Sequence, residues 1–168
     1  STERNLPLKQ QELRRLERRN TKFMLYFAYG SNMDLAQLRE RVGEVKDGVM
    51  ATLDGYVLRF NKRSIHDEYG RANLIAASKT TTEGVIFELT DEQFAEMDRR
   101  EGKGYQRRDV LVQVGGDARE AQTYFATADF AAEGLCPSSE YLAHILDGAR
   151  EHFLSNAYIE KIKTIAQS

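Results

Sequence analysis

The chain has 168 residues and a formal net charge of −2, and 41% of its residues are hydrophobic and 30% charged. This length and composition are typical of one globular domain with a sizeable core. This charge gives no reason to expect nucleic acid or an anionic membrane as a partner. Neither a membrane-spanning apolar run nor a signal peptide is recognisable, and the single cysteine, Cys136, cannot form an internal disulfide, so we expect a cytoplasmic protein.

The first 22 residues differ in composition from the rest of the chain. They contain seven Lys or Arg residues and three Glu residues, which gives this segment a charge of +4 and leaves −6 for residues 23–168. Leu13 and Leu16 would form a narrow apolar stripe on a short helix. Such an arm can bind an acidic partner or its own protein body, but charged termini are more often solvated extensions. We predict a basic arm at 1–22 and one domain at 23–168.

After residue 22, short strand-like runs alternate with turns. Met24, Leu25 and Phe27 of the first run are expected in the core. The turns between runs are mostly too short for repeated βαβ crossovers, which favours an α+β fold with a largely antiparallel or mixed, curled sheet. The predicted strands cover residues 23–29, 49–54, 56–62, 72–77, 83–89, 107–114 and 121–127.

Three helices are predicted between these strands. The first covers residues 34–42, where Leu35, Leu38 and Val42 recur at helical spacing on one apolar face. The second begins with a strong start signal, a capping box formed by Thr90 and Gln93, with Leu89 and Phe94 as a hydrophobic staple. The third has Ser138 or Ser139 as its N-cap. Its apolar stripe is predicted to contain Leu142, Ile145, Ala149 and Phe153.

Several classes of chemistry lack a sequence signal. The three histidines, His66, His144 and His152, show no metal-ligand spacing and are expected to be surface or lining residues. Cys136 has no base near it in sequence. A P-loop, a GxGxxG fingerprint and a GxSxG elbow are all absent from the sequence. Any reaction is therefore expected to proceed without a metal, a cofactor or a covalent nucleophile.

Glu101 is a carboxylate at a helix C-terminus, a position where acidic side chains are unfavourable. It closes the second predicted helix, where the partial negative charge of the helix end is unfavourable, and Gly102 follows it to allow a sharp turn. That position predicts a raised pKa, as a general base working near neutrality requires. The alternative is a solvated glutamate balanced by Arg99 and Arg100.

A second unusual stretch is YFAYGSNM, residues 26–33, in which a buried-looking strand ends on Gly-Ser-Asn. The stretch is either a plain turn or a row of backbone N–H groups offered to a ligand. Together with REGKGYQRRDVLV and PSSEYLAHILDGA, in this order along the chain, it resembles the γ-glutamylcyclotransferase family. The resemblance extends from about Phe23 to Ile162 and leaves out the basic arm.

The resemblance implies a small β-barrel-like sheet flanked by helices and allows a homodimer. It implies cyclisation of a γ-glutamyl amino acid or amine to 5-oxoproline with release of the amine, and no cofactor. Glu101 matches the catalytic acid/base. The substrate-binding residues that match the family pattern are Tyr29, Gly30, Ser31, Asn32, Tyr105, Tyr124 and Tyr141. Asn73 matches a position beneath the site, where a structural hydrogen bond is an equal explanation.

Alternatives remain open from the sequence alone. An enzyme that strips a γ-glutamyl cap from a biosynthetic intermediate would share every residue named above. A non-catalytic binding module of the same fold is a further alternative, which the presence of Glu101 disfavours. The sequence departs from some family members in the short GKG loop between Glu101 and Tyr105. This difference affects the outer wall of the pocket, and hence the leaving group, more than the chemistry.

Overall fold

The structure, a computed structural model, describes residues 5–20 and 22–168. Residues 1–4 and 21 of the predicted arm lie outside the described residues. The helices are α1 (Leu8–Asn20), α2 (Leu35–Val42), α3 (Asp91–Glu101), α4 (Ser139–Glu151) and α5 (Asn156–Ala166). The strands are β1 (Met24–Ala28), β2 (Val49–Arg63), β3 (Gly70–Leu89), β4 (Tyr105–Val114) and β5 (Asp117–Ala126).

The five strands form a closed barrel in the order β1-β3-β2-β4-β5. All neighbouring pairs are antiparallel except β1 and β5, which are parallel and close the sheet. Phe27, Val85, Phe87 and Val112 are almost completely buried and belong to the hydrophobic core. The predicted α+β single domain with a mixed, curled sheet and flanking helices is confirmed.

Two pairs of predicted strands are single long strands in the structure. The runs at 49–54 and 56–62 belong to β2, and those at 72–77 and 83–89 belong to β3. The pairing register shifts between Asp54 and Tyr56, and Gly55 between them has a φ of 86°. A bulge of this kind bends a strand without ending it. The prediction of separate strands was therefore wrong, because a turn-like residue marks a bend here.

Side chains cap the starts of α2, α3 and α4, and the sequence predicts the caps of α3 and α4. The Asp34 carboxylate accepts hydrogen bonds from the N–H groups of Ala36 and Gln37 at the start of α2. The Thr90–Gln93 capping box is present at the start of α3. Of the two serines considered for α4, Ser138 is the N-cap, since its hydroxyl accepts from the Tyr141 N–H. These signals lie within a few residues of each other, so they operate in any tertiary context.

The C-terminal helix α5 was not predicted. Its signals are Ser155, whose hydroxyl accepts from the Tyr158 N–H, and an apolar face that includes the buried residues Ile159 and Ile162. The stripe predicted to run on to Phe153 is also wrong. Phe153 lies beyond the end of α4 with a φ of 61° and is 89% exposed. The chain turns there to start α5.

Four further expectations concern the burial of single residues. Phe27 is buried and Leu25 partly buried as predicted, but Met24 is 37% exposed because it begins β1 at the rim of the barrel. His152 is buried and is not a surface residue, since it packs edge-on against Phe87 and hydrogen bonds to the Gly148 carbonyl group.

The arm contains a helix in its described part. Leu13 and Leu16 are both about half exposed on α1, at 52% and 47%. Arg15 of α1 and Phe23 line a groove of about 770 Å³ together with residues of α2 and α3. Within residues 5–20 and 22–168, every helix is too short or too polar to cross a membrane. The division at residue 22 stays a prediction.

Candidate active site

A cavity of about 680 Å³ opens where β1, β2, α3 and α4 come together. It contains every site residue that the sequence analysis named. These are Tyr29, Gly30, Ser31, Asn32, Glu101, Tyr105, Tyr124 and Tyr141. The larger groove beside α1 contains none of them. The chemistry of the named residues therefore identifies the smaller cavity as the candidate site.

The segment Gly30–Asn32 leaves the end of β1 and enters a short 3-10 turn at Ser31–Met33. A Cβ atom on Gly30 would lie 3.1 Å from the Ala72 Cβ and 3.4 Å from the Tyr141 Oη, so the backbone here is closely packed. Ser31 and Asn32 are buried. Among the hydrogen bonds between described residues, none uses the N–H groups of residues 30–32 as donors. Buried N–H groups usually have a partner, so these are suited to a ligand.

The side chain of Asn32 is occupied by the protein itself. Its Nδ2 donates to the Tyr26 Oη at 3.1 Å, and its Oδ1 accepts from Arg41 Nη1 at 2.9 Å and from Gln37 Nε2 at 3.2 Å. The same Gln37 nitrogen donates to Ser31 Oγ at 2.7 Å. Because α2 holds both side chains in this way, the backbone of the turn is rigidly positioned beside the cavity.

Glu101 is the last residue of α3, and its partly buried carboxylate faces the cavity without a hydrogen bond or ion pair to any described side chain. Burial raises the pKa of Glu101 above its ordinary value, and the nearby charges of Arg41 and Lys62 oppose that rise. The predicted direction is therefore confirmed. Its main cause is loss of solvent, which needs the folded cavity.

The backbone N–H and carbonyl groups of Ala72 fix two of the predicted tyrosines. Its N–H donates to the Tyr141 Oη at 3.0 Å, and its carbonyl oxygen accepts from the Tyr105 Oη at 2.7 Å. Burial is the main cause that raises the pKa of Tyr141 to about 12, so this phenol stays neutral at physiological pH. The rings of both tyrosines form part of the cavity wall.

The other two tyrosines are linked to each other. The Tyr29 hydroxyl donates to the backbone carbonyl group of Tyr124. The Tyr124 hydroxyl donates to Asp98 Oδ1 at 2.7 Å, and Asp98 in turn pairs with Arg107 at 3.2 Å. Tyr124 thus contributes its ring to the cavity while its hydroxyl is held by α3.

Asn73 has the structural role that was one of its two predicted explanations. Its Nδ2 donates to Asn61 Oδ1 at 3.0 Å, and its Oδ1 accepts from the Ala126 N–H at 2.9 Å. These bonds join β2, β3 and the end of β5. Asn73 is not among the residues that line the cavity.

The basic residues of the cavity were missed by sequence reasoning. Six basic side chains line it beside Glu101, which is the only acidic one. They come from α2, the ends of β2 and β3, the end of α3 and the loop after it. Because these elements are distant in sequence, no local pattern identifies the group. The six are Arg41, Lys62, Arg71, Arg99, Arg100 and Lys103.

Metal binding has no support in the described part of the chain, where no three His, Cys, Asp or Glu residues are arranged to hold an ion. His144 instead pairs through Nδ1 with Asp34 Oδ2 at 2.7 Å, which joins α4 to the start of α2. His66 lines the outer part of the cavity.

Comparison with known proteins agrees with this geometry. Residues 81–162 match the model of the AIG2-like family. The γ-glutamylcyclotransferase of mouse is 27% identical over 149 residues, which are 84% of this chain and 78% of the mouse protein. A solved structure named γ-glutamyl cyclotransferase superposes with a TM-score of 0.78 at 26% identity, covering 86% of this chain and 88% of the other. An uncharacterized human protein superposes with a TM-score of 0.77 at 27% identity, covering 85% and 88%.

Proposed function

We propose that the chain is a member of the γ-glutamylcyclotransferase-like family, and that it cyclises a γ-glutamyl amino acid or γ-glutamyl amine to 5-oxoproline and releases the free amine. One observation carries the proposal: the same cavity contains a carboxylate with a raised pKa and a turn with unused N–H donors. This combination suits a reaction that needs one proton carrier and one oxyanion or carboxylate site.

The reaction requires no nucleophile from the protein. The α-amine of the γ-glutamyl group attacks its own γ-carbonyl carbon, a five-membered ring forms, and the bond to the leaving amine breaks. Holding such a conformer ready is worth about 7–11 kcal/mol of the barrier. The cavity therefore has to select a bent conformation, and the closely packed wall around Gly30, Ala72 and Tyr141 is suited to that task.

Glu101 is proposed as the group that moves the proton. In its ionised form it accepts a proton from the substrate ammonium group and donates it to the leaving nitrogen. The ring nitrogen loses its second proton after the attack, and the released amine takes up that proton as an ammonium ion. A pKa raised by burial brings the carboxyl group nearer to neutrality, where both steps are feasible. The N–H groups of residues 30–32 would bind the α-carboxylate or the developing oxyanion. A single well-placed oxyanion donor is worth about 2.7–4 kcal/mol.

The test is release of 5-oxoproline by the purified protein from a panel of γ-glutamyl amino acids, γ-glutamyl amines and glutathione. We expect stoichiometric formation of 5-oxoproline and free amine from at least one class. Product analysis by mass spectrometry separates cyclisation from hydrolysis, because hydrolysis releases glutamate. Glutamate as the product would overturn the proposed reaction. Binding without any product would indicate a module that has the fold without the activity.

The basic arm is expected to be dispensable for this reaction. Its described part contributes Arg15 to the groove beside α2 and α3 and no residue to the candidate site. Deleting residues 1–20 should therefore leave kcat/KM within about twofold, since surface changes far from a site are usually near neutral. Steady-state kinetics of the truncated and full chains make the comparison. A collapse of activity would show that the arm belongs to the site.

A further inference from the structure

Lys62 is buried in the cavity, and none of the described residues forms an ion pair with it. It lies near the end of β2 and is 8% exposed. Its Nζ lies 4.9 Å from the centre of the Tyr105 ring and 5.3 Å from that of Phe130. A Cβ atom on Gly104 would lie 2.5 Å from the Lys62 Cε and 2.8 Å from its Nζ. The chain thus has a glycine at the point where any other side chain would displace the ammonium group.

The other five basic groups of the cavity differ from Lys62 in their surroundings. Four contact oxygen atoms of the protein, and the fifth, Lys103, is exposed to solvent. Those contacts are Arg71 with Asp67 at 2.9 Å, Arg99 and Arg100 with Glu96 at 2.6 and 3.0 Å, and Arg41 with Asn32 at 2.9 Å. In the described part of the chain, no hydrogen bond or ion pair involves the Lys62 ammonium group.

A buried ammonium group without a counterion is unfavourable, because it has lost water and gained no anion. Burial lowers the pKa of Lys62, and only the charge of Glu101 opposes this effect. Glu101 cannot serve as a permanent partner if it is to carry a proton during the reaction. An anion supplied by the ligand would complete the site.

A γ-glutamyl amino acid has two carboxylates, one on the γ-glutamyl group and one on the leaving group. Binding the first is one of the two roles proposed for the N–H groups of residues 30–32, which lie next to Tyr141 and Ala72. Lys62 lies instead among Gly104, Tyr105 and Phe130, in a wall that includes the loop after Glu101. We propose that Lys62 binds an anionic group of the leaving amine and so selects acid-bearing leaving groups over neutral amines. This inference rests on the proposed function.

The test uses two substrates that differ only in this anion, γ-glutamyl-alanine and γ-glutamyl-ethylamine. Both are supplied to the same sample, and the ratio of their kcat/KM values is measured from the two amines released. The wild-type protein should favour the alanine compound by about 100-fold, as expected for a desolvated charge pair. In Lys62→Met the ratio should fall to near one, through loss of the alanine reaction.

The matched control is Arg63→Met, which removes the neighbouring positive charge. Arg63 does not line the cavity; its side chain donates to the Asp129 carbonyl group, and its guanidinium group lies 5.5 Å from the centre of the Phe130 ring. This variant should keep the wild-type ratio. Because the two substrates compete in one sample, the ratio is independent of how much of each variant is folded and active.

Three results would overturn the inference. Equal losses on both substrates in Lys62→Met would mean that the lysine acts through Glu101 or through the fold. A kcat/KM ratio near one in the wild-type protein would mean that the protein does not distinguish leaving groups by their charge, although the proposed reaction would stand. Absence of 5-oxoproline from both substrates and from the whole panel would remove the proposed function and this inference with it.

Discussion

Replacing Glu101 by glutamine should lower kcat by about 10²- to 10⁴-fold, the range that a positioned acid/base group contributes. Glutamine fills nearly the same space at the end of α3 but cannot accept the ammonium proton. The measurement is 5-oxoproline release from the best substrate of the panel. Equal activity of variant and parent would mean that the chemistry lies on a different group.

The pH profile gives this prediction a second readout. If Glu101 must be ionised to accept a proton, kcat/KM rises as the pH increases through its pKa. Because burial raises that pKa, the rising limb should lie above the ordinary range of a glutamate. The limb should disappear in Glu101→Gln. The control Glu92→Gln removes an exposed carboxylate from the first turn of the same helix and should keep both the rate and the limb.

Loss of stability can be separated from loss of chemistry in this variant. A carboxyl group whose pKa is raised by folding binds its proton more tightly in the folded state. Its ionisation therefore lowers the stability of the fold as the pH rises above the pKa that the group has in the unfolded chain. Glutamine does not have this cost. We therefore expect Glu101→Gln to melt at a higher temperature than the parent at neutral pH while being nearly inactive. A lower melting temperature would contradict this account of the buried carboxylate.

Replacing Gly148 by alanine should damage both the fold and the site. A Cβ atom there would lie 2.3 Å from the carbonyl carbon of Met33 and 2.4 Å from the amide nitrogen of Asp34. These are backbone atoms, so no change of rotamer relieves the clash, and α4 must move away from the turn that carries Ser31 and Asn32. Overpacking of this kind costs about 1–3 kcal/mol. A turn displaced by about 1 Å can cost about 100-fold in kcat/KM.

The measurements are thermal denaturation and the kinetics of the best substrate. Ala143→Gly, on the exposed side of α4, is the control. It lowers helix propensity by about 1 kcal/mol without touching the turn, so it should reduce stability and keep kcat/KM. Since alanine otherwise favours a helix over glycine, a Gly148→Ala variant that is more stable and fully active would show that α4 does not hold the turn.

The local features of the site were visible in the sequence because a few neighbouring residues determine them. Thr90 and Gln93 start α3 through bonds within one turn, and Gly102, with a φ of 59°, ends it directly after Glu101. In the same way, β1 is a run of apolar and aromatic residues and the chain then enters the turn of Ser31 and Asn32. The strand, the turn and the position of the carboxylate could therefore be predicted.

The surroundings of these groups depend on closure of the barrel. The two long strands bend at Gly55 and near Lys79, which has a φ of 62°, and a bend cannot be distinguished from a strand end by local composition. Closure brings the end of β2 next to the loop after α3, about forty residues further along the chain.

Lys62 and Arg41 show what the sequence left undetermined. A lysine near the end of one strand and an arginine on a helix are ordinary surface residues when read in sequence. Only the folded cavity removes water from Glu101 and places both positive charges within its influence. The sequence by itself determined the reactive groups and the short elements that carry them. The tertiary structure decided their burial, their electrostatic partners and the shape of the leaving-group wall, because those properties arise from residues that are distant along the chain.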